Sequence, residues 1–177
     1  MDGMALPGAP ETRGIADVAP WPDWSAAADD ALAFLHEQLG WDLWAVTRIQ
    51  AGAQVVLRAF PDGAVPPGAA LPWDESFCRQ MVEGAGPRVA TVTAAVPAYA
   101  RCSAGLAAGV AAYLGVPLVG PDGELFGTLC AIAFRAQPLS AARGLATAEF
   151  VARMLSTLLV GAGAGAGADQ PSSAARI

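Results

Sequence analysis

The sequence predicts an α+β fold: a central antiparallel sheet of five to six strands, with terminal helices on one face and a short helix plus a long connection covering the other. Three observations carry this expectation. Two pairs of apolar, β-branched-rich segments are each joined by a tight turn, helical periodicity brackets them at both ends, and the last two segments are apolar on both sides. A half-solvated sheet would alternate apolar with polar residues, so both faces of this one are expected to be covered.

Residues 1–22 are Pro- and Gly-rich without period and read as a flexible tail ahead of a domain spanning 23–160. From 25 to 39, Ala28, Ala31, Leu32, Leu35 and Leu39 recur at three- and four-residue steps, Asp29 and Asp30 favour the early turns, and Gly40 is a natural stop. "DLWAVTRIQ" (42–50) and "AQVVLRAF" (53–60) read as a hairpin closed by Ala51-Gly52, and "PDGAVPPGAALP" (61–72) reads as loop. "WDESFCRQMVEG" then reads as a short helix with Asp74 as its N-cap, presenting Phe77, Cys78, Met81 and Val82 on one face and Glu75, Arg79, Gln80 and Glu83 on the other.

"RVATVT" (88–93) is a third strand. Residues 94–110 have no steady period and many small side chains, the mark of a long functional or mobile connection. "AAYLGVPLV" (111–119) and "ELFGTLCAIAF" (124–134) form the clearest hairpin, because Gly123 after Asp122 supplies the positive φ that a tight turn needs. Alternation puts Phe126, Thr128, Cys130 and Ile132 on one face of the second strand and Leu125, Leu129 and Ala131 on the other. A last helix over 140–160 carries Leu145, Ala148, Ala152, Leu155 and Leu159 in one stripe and Val151, Met154 and Leu158 in a second. One stripe covers the sheet; the other is expected to meet a second copy, making a homodimer through the terminal helices. The Gly/Ala run from 161 to 177 reads as a flexible tail.

Composition excludes several function classes. A net charge of −6, with ten basic residues that are all Arg and scattered, argues against a nucleic-acid surface. Lys is absent, which removes the phosphate-binding loop, Schiff-base chemistry and the kinase lysine. Cys78, Cys102 and Cys130 match no zinc spacing, and three thiols fit a reduced compartment. The N-terminus lacks a signal-peptide pattern, and the uncharged stretch 102–121 holds six Gly or Pro residues, so no membrane span and a cytoplasmic location are expected.

The order of elements, with "DESFCRQMVEGAGPRVATV" and "AAYLGVPLVGPDGELFGTLCAIAFRAQPLS", resembles the GAF domain over roughly residues 25–160. "SFCRQMV", "YLGVPLVGPDGELFGTLCAI" and "PLS" carry the likeness most sharply, and they are similar to sensor modules of bacterial histidine kinases, phosphatases and diguanylate cyclases. The resemblance implies a stand-alone small-molecule sensor or regulatory domain in signal transduction, with its ligand between the sheet and the elements covering one face. It would signal through the terminal helices to a protein partner. Carried onto this chain, the ligand-binding residues are Trp73, Phe77, Cys78, Tyr99, Cys102, Tyr113, Thr128 and Cys130. That set has the mostly apolar character of a ligand site. The ligand is unknown, and no cofactor or metal is identifiable.

The chain departs from the family where acidic residues are common: at the end of the third strand, where "VATVTAA" has Thr91 and Thr93, and after "GTLCAI", where Ala133 follows. The lone His36 lies far from any cysteine, which argues against a phytochrome-type bilin, and it reads as a structural histidine rather than a haem ligand. An alternative is a GAF-fold thiol enzyme such as a free methionine-(R)-sulfoxide reductase, with Cys102, beside Arg101 in the long connection, attacking and Cys78 resolving. Exposure is expected at Cys102, a pocket-lining role at Cys78 and inertness at Cys130. A ligand-free dimerisation or interaction module is the remaining alternative.

Overall fold

In the computed structural model, residues 18–102 and 107–165 are described, the last six of them by backbone alone. Helix α1 (Trp24–Leu39) leads into strands β1 (Leu43–Gln50), β2 (Ala53–Phe60) and β3 (Ala70–Pro72). Helix α2 (Phe77–Val82), strand β4 (Val89–Ala90) and helix α3 (Pro97–Ala100) follow. Strands β5 (Ala112–Val119) and β6 (Leu125–Ala133) and helix α4 (Leu145–Gly165) complete the order. The strands form one six-stranded sheet in the order β3-β2-β1-β6-β5-β4, antiparallel at every pairing. The α+β architecture expected from the sequence is the one observed.

Asp23 starts α1 by accepting a hydrogen bond from the Ala26 N–H, and Gly40 ends it at φ +73°. Ala28, Ala31, Leu32 and Leu35 are buried on its inner face, as their spacing requires. Together α1 and α4 cover one side of the sheet, closing a core of Leu32, Leu35, Trp44, Val46, Leu114, Leu129 and Leu155. Trp24 ties the two helices by donating from Nε1 to the Leu155 carbonyl at 3.0 Å. No described helix is long and apolar enough to cross a membrane.

Several local expectations are corrected. The stretch read as loop contains β3, which three residues pair onto β2, and the third strand shrinks to Val89–Ala90. The N-cap of α2 is Ser76, whose Oγ accepts from Arg79 N at 3.0 Å; Asp74 lies in a preceding 3₁₀ turn, Trp73–Glu75, and pairs with Arg79. Phe126 does not share a face with Thr128. Leu118 pairs with Gly127 but Val119 with Leu125, so Phe126 is the extra residue of a bulge and packs edge-on against Trp24. The second stripe of α4 is not left for a partner: Val151 is in the core and Met154 and Leu158 pack against it. A 3₁₀ turn, Leu139–Gly144, precedes α4, which runs to Gly165, past the residue where the tail was expected to begin. The remainder of both expected tails lies outside the described residues.

A β1–β2 bulge has a further effect. Val46 pairs with Arg58 while Thr47 pairs with Val56. Strict alternation would send Arg58 to the same face as Gln54 and Val56, but the bulge turns it to the helix side, where it pairs with Asp29 of α1.

The outward face of α4 carries Phe150, 72% exposed, while Leu155 is fully buried. Leu155→Ala is expected to cost about 2–5 kcal/mol in urea unfolding, and Phe150→Ala less than about 0.5 kcal/mol. Equal effects would contradict this orientation of the helix.

Candidate functional site

Among the described residues, the other side of the sheet is covered only by short pieces, and a cavity of about 460 Å³ lies beneath them. Its walls are mainly apolar, with Ala45, Val56, Leu71, Phe77, Val110 and Ile132 prominent. Odd-numbered residues of β1 and the even-numbered residues of β6 from Thr128 onward project to this side, bringing Ala45 opposite Cys130 and Thr47 opposite Thr128. Most polar side chains collect at one end, Thr47, Gln54, Ser76, Cys78 and Tyr113, while Asp42 lines the wall near Leu43 and Phe134 with its carboxylate accepting from the Phe134 N–H at 2.8 Å.

These groups form a connected cluster. Three donors converge on Cys78 Sγ: Gln54 Nε2 at 3.0 Å, the Tyr113 hydroxyl at 3.2 Å and the Thr128 hydroxyl at 3.2 Å. Gln54 Nε2 also lies 3.1 Å from Thr47 Oγ1 and 3.3 Å from Thr128 Oγ1, and the two threonine hydroxyls are 2.8 Å apart. The amide has two hydrogens for three acceptors, so its bonds are shared.

Tyr113 reaches the thiol because position 115 is glycine. The two residues share a face, and a Cβ at Gly115 would fall 1.9 Å from the Tyr113 hydroxyl oxygen. Phe77, Tyr99 and Tyr113 hold one another with ring centroids 5.2–5.5 Å apart. Tyr99 lies over Gly86, where a Cβ would meet its ring at 2.5 Å, and its hydroxyl donates to the Pro87 carbonyl.

The cluster acts on the thiols in opposite directions. The neighbouring Cys130 thiol lowers Cys78 below its ordinary value; burial opposes this, and the bonds from Thr128, Tyr113 and Gln54 reinforce it. Cys130 is raised by the neighbouring Cys78 and by burial, so of the pair Cys78 ionises first. Burial, then charge at Cys78 and Cys130, raises Tyr113, which stays a neutral donor. The chemistry available at this end of the cavity is therefore that of a hydrogen-bonded thiolate beside a neutral thiol.

Of the eight residues expected to bind a ligand, Phe77, Cys78, Tyr113 and Cys130 line the cavity. Thr128 is fully buried and bonds both Cys78 and Thr47. Tyr99 stands in the aromatic cluster, and Trp73 is half-buried at the margin of the second core, with its N–H bonded to the Gly52 carbonyl. Cys102 overturns the expected exposure. It is only 8% exposed, its Sγ is 3.5 Å from the Ala98 carbonyl, and burial raises its thiol against the pull of Arg101. It is not among the residues lining the cavity. Cys130, expected to be inert, lines the same cavity and packs against the cluster that holds Cys78.

Sequence reading missed Thr47 and Gln54. The available signal was the phase of alternation, since each is a polar residue on a strand face otherwise given to Ala45 and Val56. Thr93, where the family often has an acid, donates instead to the Val110 carbonyl at 2.8 Å and anchors the connection. His36 lies on α1 against Phe60, on the helix side of the sheet. No cluster of metal-ligating side chains occurs among the described residues.

A six-stranded antiparallel sheet, backed by two terminal helices and roofed on its other face by short elements over a cavity, defines a domain of the GAF class. A family model described as "GAF domain" matches residues 23–159, and the chain belongs to that family. It is similar in structure to the GAF domain from a phosphoenolpyruvate-protein phosphotransferase of Coxiella burnetii, with TM-score 0.64, 19% identity, and 85% of this chain and 89% of that one covered. The GAF-B domain of DevS from Mycobacterium smegmatis aligns at TM-score 0.60 and 19% identity, covering 81% of this chain and 98% of that one. A free methionine-R-sulfoxide reductase from Neisseria meningitidis, solved in complex with its substrate, aligns at TM-score 0.60 and 22% identity, covering 81% and 82%. At these identities the likeness is one of fold. A comparison with curated protein sequences finds no match.

A hydrogen bond to a charged group contributes about 1.5–3 kcal/mol, so loss of the Tyr113 donor has a measurable effect. In Tyr113→Phe and Gly115→Ala, the pH midpoint for alkylation of Cys78 by iodoacetamide is expected to rise by about one pH unit or more. In the unaltered chain that midpoint is expected below the midpoint of Cys102. Coincident midpoints would show that the donors do not act on the sulfur.

Proposed function

We propose that this GAF domain is a small-molecule sensor or regulatory domain in signal transduction. Its ligand is compact, neutral and mostly apolar, with one hydrogen-bonding group, and sits between the sheet and α2. The observation that carries the reading is the placement of a polar cluster at one end of a cavity of about 460 Å³ whose remaining wall is apolar but for Asp42, itself bonded to the Phe134 N–H. That size and lining fit a ligand held by burial and oriented by a few polar groups. No Arg is among the described residues of the wall, so nothing there recommends an anionic ligand.

The sheet offers a route for the signal. Tyr113, Cys130 and Ile132 face the cavity, while their chain neighbours Leu114, Leu129 and Ala131 lie under α1 and α4. A ligand that shifts β5 or β6 therefore moves the surface on which both helices rest. Phe34 and Phe150, exposed on those helices, support a homodimer or a protein partner on the outer face. The names of the similar structures, a phosphotransferase domain and DevS among them, are compatible with a regulatory role.

Ala45 lies on the cavity wall opposite Cys130, and a large side chain there would occupy the ligand's space. Native mass spectrometry of the purified chain is expected to show an added small-molecule mass that Ala45→Phe loses. Small neutral compounds that bind are expected to raise the melting temperature of the unaltered chain and leave Ala45→Phe unmoved. No added mass, together with no stabilisation by any member of such a panel, would favour a ligand-free interaction module.

A further inference from the structure

The cavity holds a second feature that ligand binding does not require. Cys78 and Cys130 come from different elements, α2 and β6, and both stand on the cavity wall. A small solute can reach them there, although Cys78 is shielded from bulk water. Their surroundings are unequal. Three donors, from Gln54, Tyr113 and Thr128, are aimed at Cys78 Sγ, whereas Cys130, two residues along the same face of β6 from Thr128 and packed against the same cluster, has no such set around it. A cysteine serving only as a small apolar filler needs no such set of donors. One thiol prepared as a nucleophile beside a second that keeps its proton is the arrangement that two-step thiol oxidation needs.

We infer that Cys78 and Cys130 form a hydroperoxide-reactive dithiol, in which Cys78 is oxidised by a small hydroperoxide entering the cavity and Cys130 closes the disulfide. In the first step Cys78 Sγ attacks the terminal oxygen of the hydroperoxide. An S–O bond forms, the O–O bond breaks, and the proton shed by Cys78 returns to the leaving oxygen as an alcohol or, for hydrogen peroxide, water. In the second step Cys130 Sγ attacks the Cys78 sulfur. The S–S bond forms, the S–O bond breaks, and hydroxide leaves with the Cys130 proton as water. The two thiols lose two electrons between them and the peroxide gains two. The product would pin α2 to β6 and remove the acceptor around which Gln54, Tyr113 and Thr128 are arranged. Cys102, buried beside Ala98 and outside the cavity wall, has no part in it.

The chemistry requires no organic ligand, so it fails separately from the sensor reading. The test is hydrogen peroxide added to the full-length chain carrying Cys102→Ser, followed by tryptic mass spectrometry. That substitution matters because Cys102 and Cys130 otherwise share one tryptic peptide, 102–135, while Cys78 lies in 59–79. Expected is a mass loss of two hydrogens, a cross-link between those peptides and its reversal by dithiothreitol. In the chain carrying Cys130→Ser, dimedone is expected to trap a sulfenic acid on Cys78. With all three cysteines in place, Cys78 and Cys130 are expected to be lost from the free-thiol count while Cys102 remains. Cys78 and Cys130 still free after excess peroxide, or oxidation of Cys102 ahead of Cys78, would overturn the proposal.

Discussion

The register in which β1 meets β6 sets Thr47 opposite Thr128, and every other part of the molecule is arranged around that alignment. It joins the N-terminal hairpin to the C-terminal one at the middle of the sheet, so neither half has a complete face without it. The approach is close at one point: a Cβ at Gly127 would sit 1.8 Å from the Thr47 carbonyl oxygen, and only glycine lets the strands meet there. A slip of one residue would turn Trp44 and Val46 into the cavity and present Thr47 to the helices. The cost would be buried aromatic area on one side and stranded hydroxyls on the other.

With the register fixed, the two faces of the same strands are filled differently. Two long helices lie over one face and interdigitate with it at ordinary packing density, leaving Leu32, Leu114, Leu129 and Leu155 without exposure. The opposite face is roofed by α2, of six residues, and α3, of four, together with loops. Elements that short cannot tile a sheet, and the space they leave over Ala45, Val56 and Ile132 is the cavity. The edge at β4 is consistent with this economy. Because β4 pairs only with Tyr113 and Leu114, β5 is an edge strand beyond it, and Pro117 can stand there without an N–H to offer.

Legibility in the sequence followed the range of the forces involved. Both long hairpins were readable because turn chemistry and alternation act over a few residues, and Ala51-Gly52 and Asp122-Gly123 sit where those rules put them. The strand β3 was not, since three residues have no periodicity and are a strand only because β2 accepts them; β4 was readable in place but not in length, because only two residues find partners on β5. Phe126 was assigned by parity and a bulge reversed it, an outcome decided by partners distant in sequence. At the site, Cys78 was readable as a face of α2, but the atoms around its sulfur come from β2, β5 and β6. Gln54 had no local mark beyond being polar in an apolar strand, and Cys102 was misjudged because its place in a long connection beside Arg101 suggested exposure, whereas its Sγ turns to the Ala98 carbonyl.

The polar end of the cavity is hard to explain as structure alone. Replacing such a buried cluster by apolar groups of similar volume is often neutral or stabilising, whereas leaving one member unpaired is costly. Here the donors outnumber good acceptors. Gln54 Nε2 and the hydroxyls of Tyr113 and Thr128 all turn to Cys78 Sγ, and a neutral thiol sulfur accepts weakly. A thiolate accepts well, so the geometry of the donors and the ionised form of Cys78 support each other. It follows that a ligand bringing a carbonyl or hydroxyl into this end of the cavity would compete with the sulfur for Gln54 and Tyr113. Binding would then return the proton to Cys78, coupling occupancy of the cavity to the reactivity of its thiol through two shared hydrogen-bond donors.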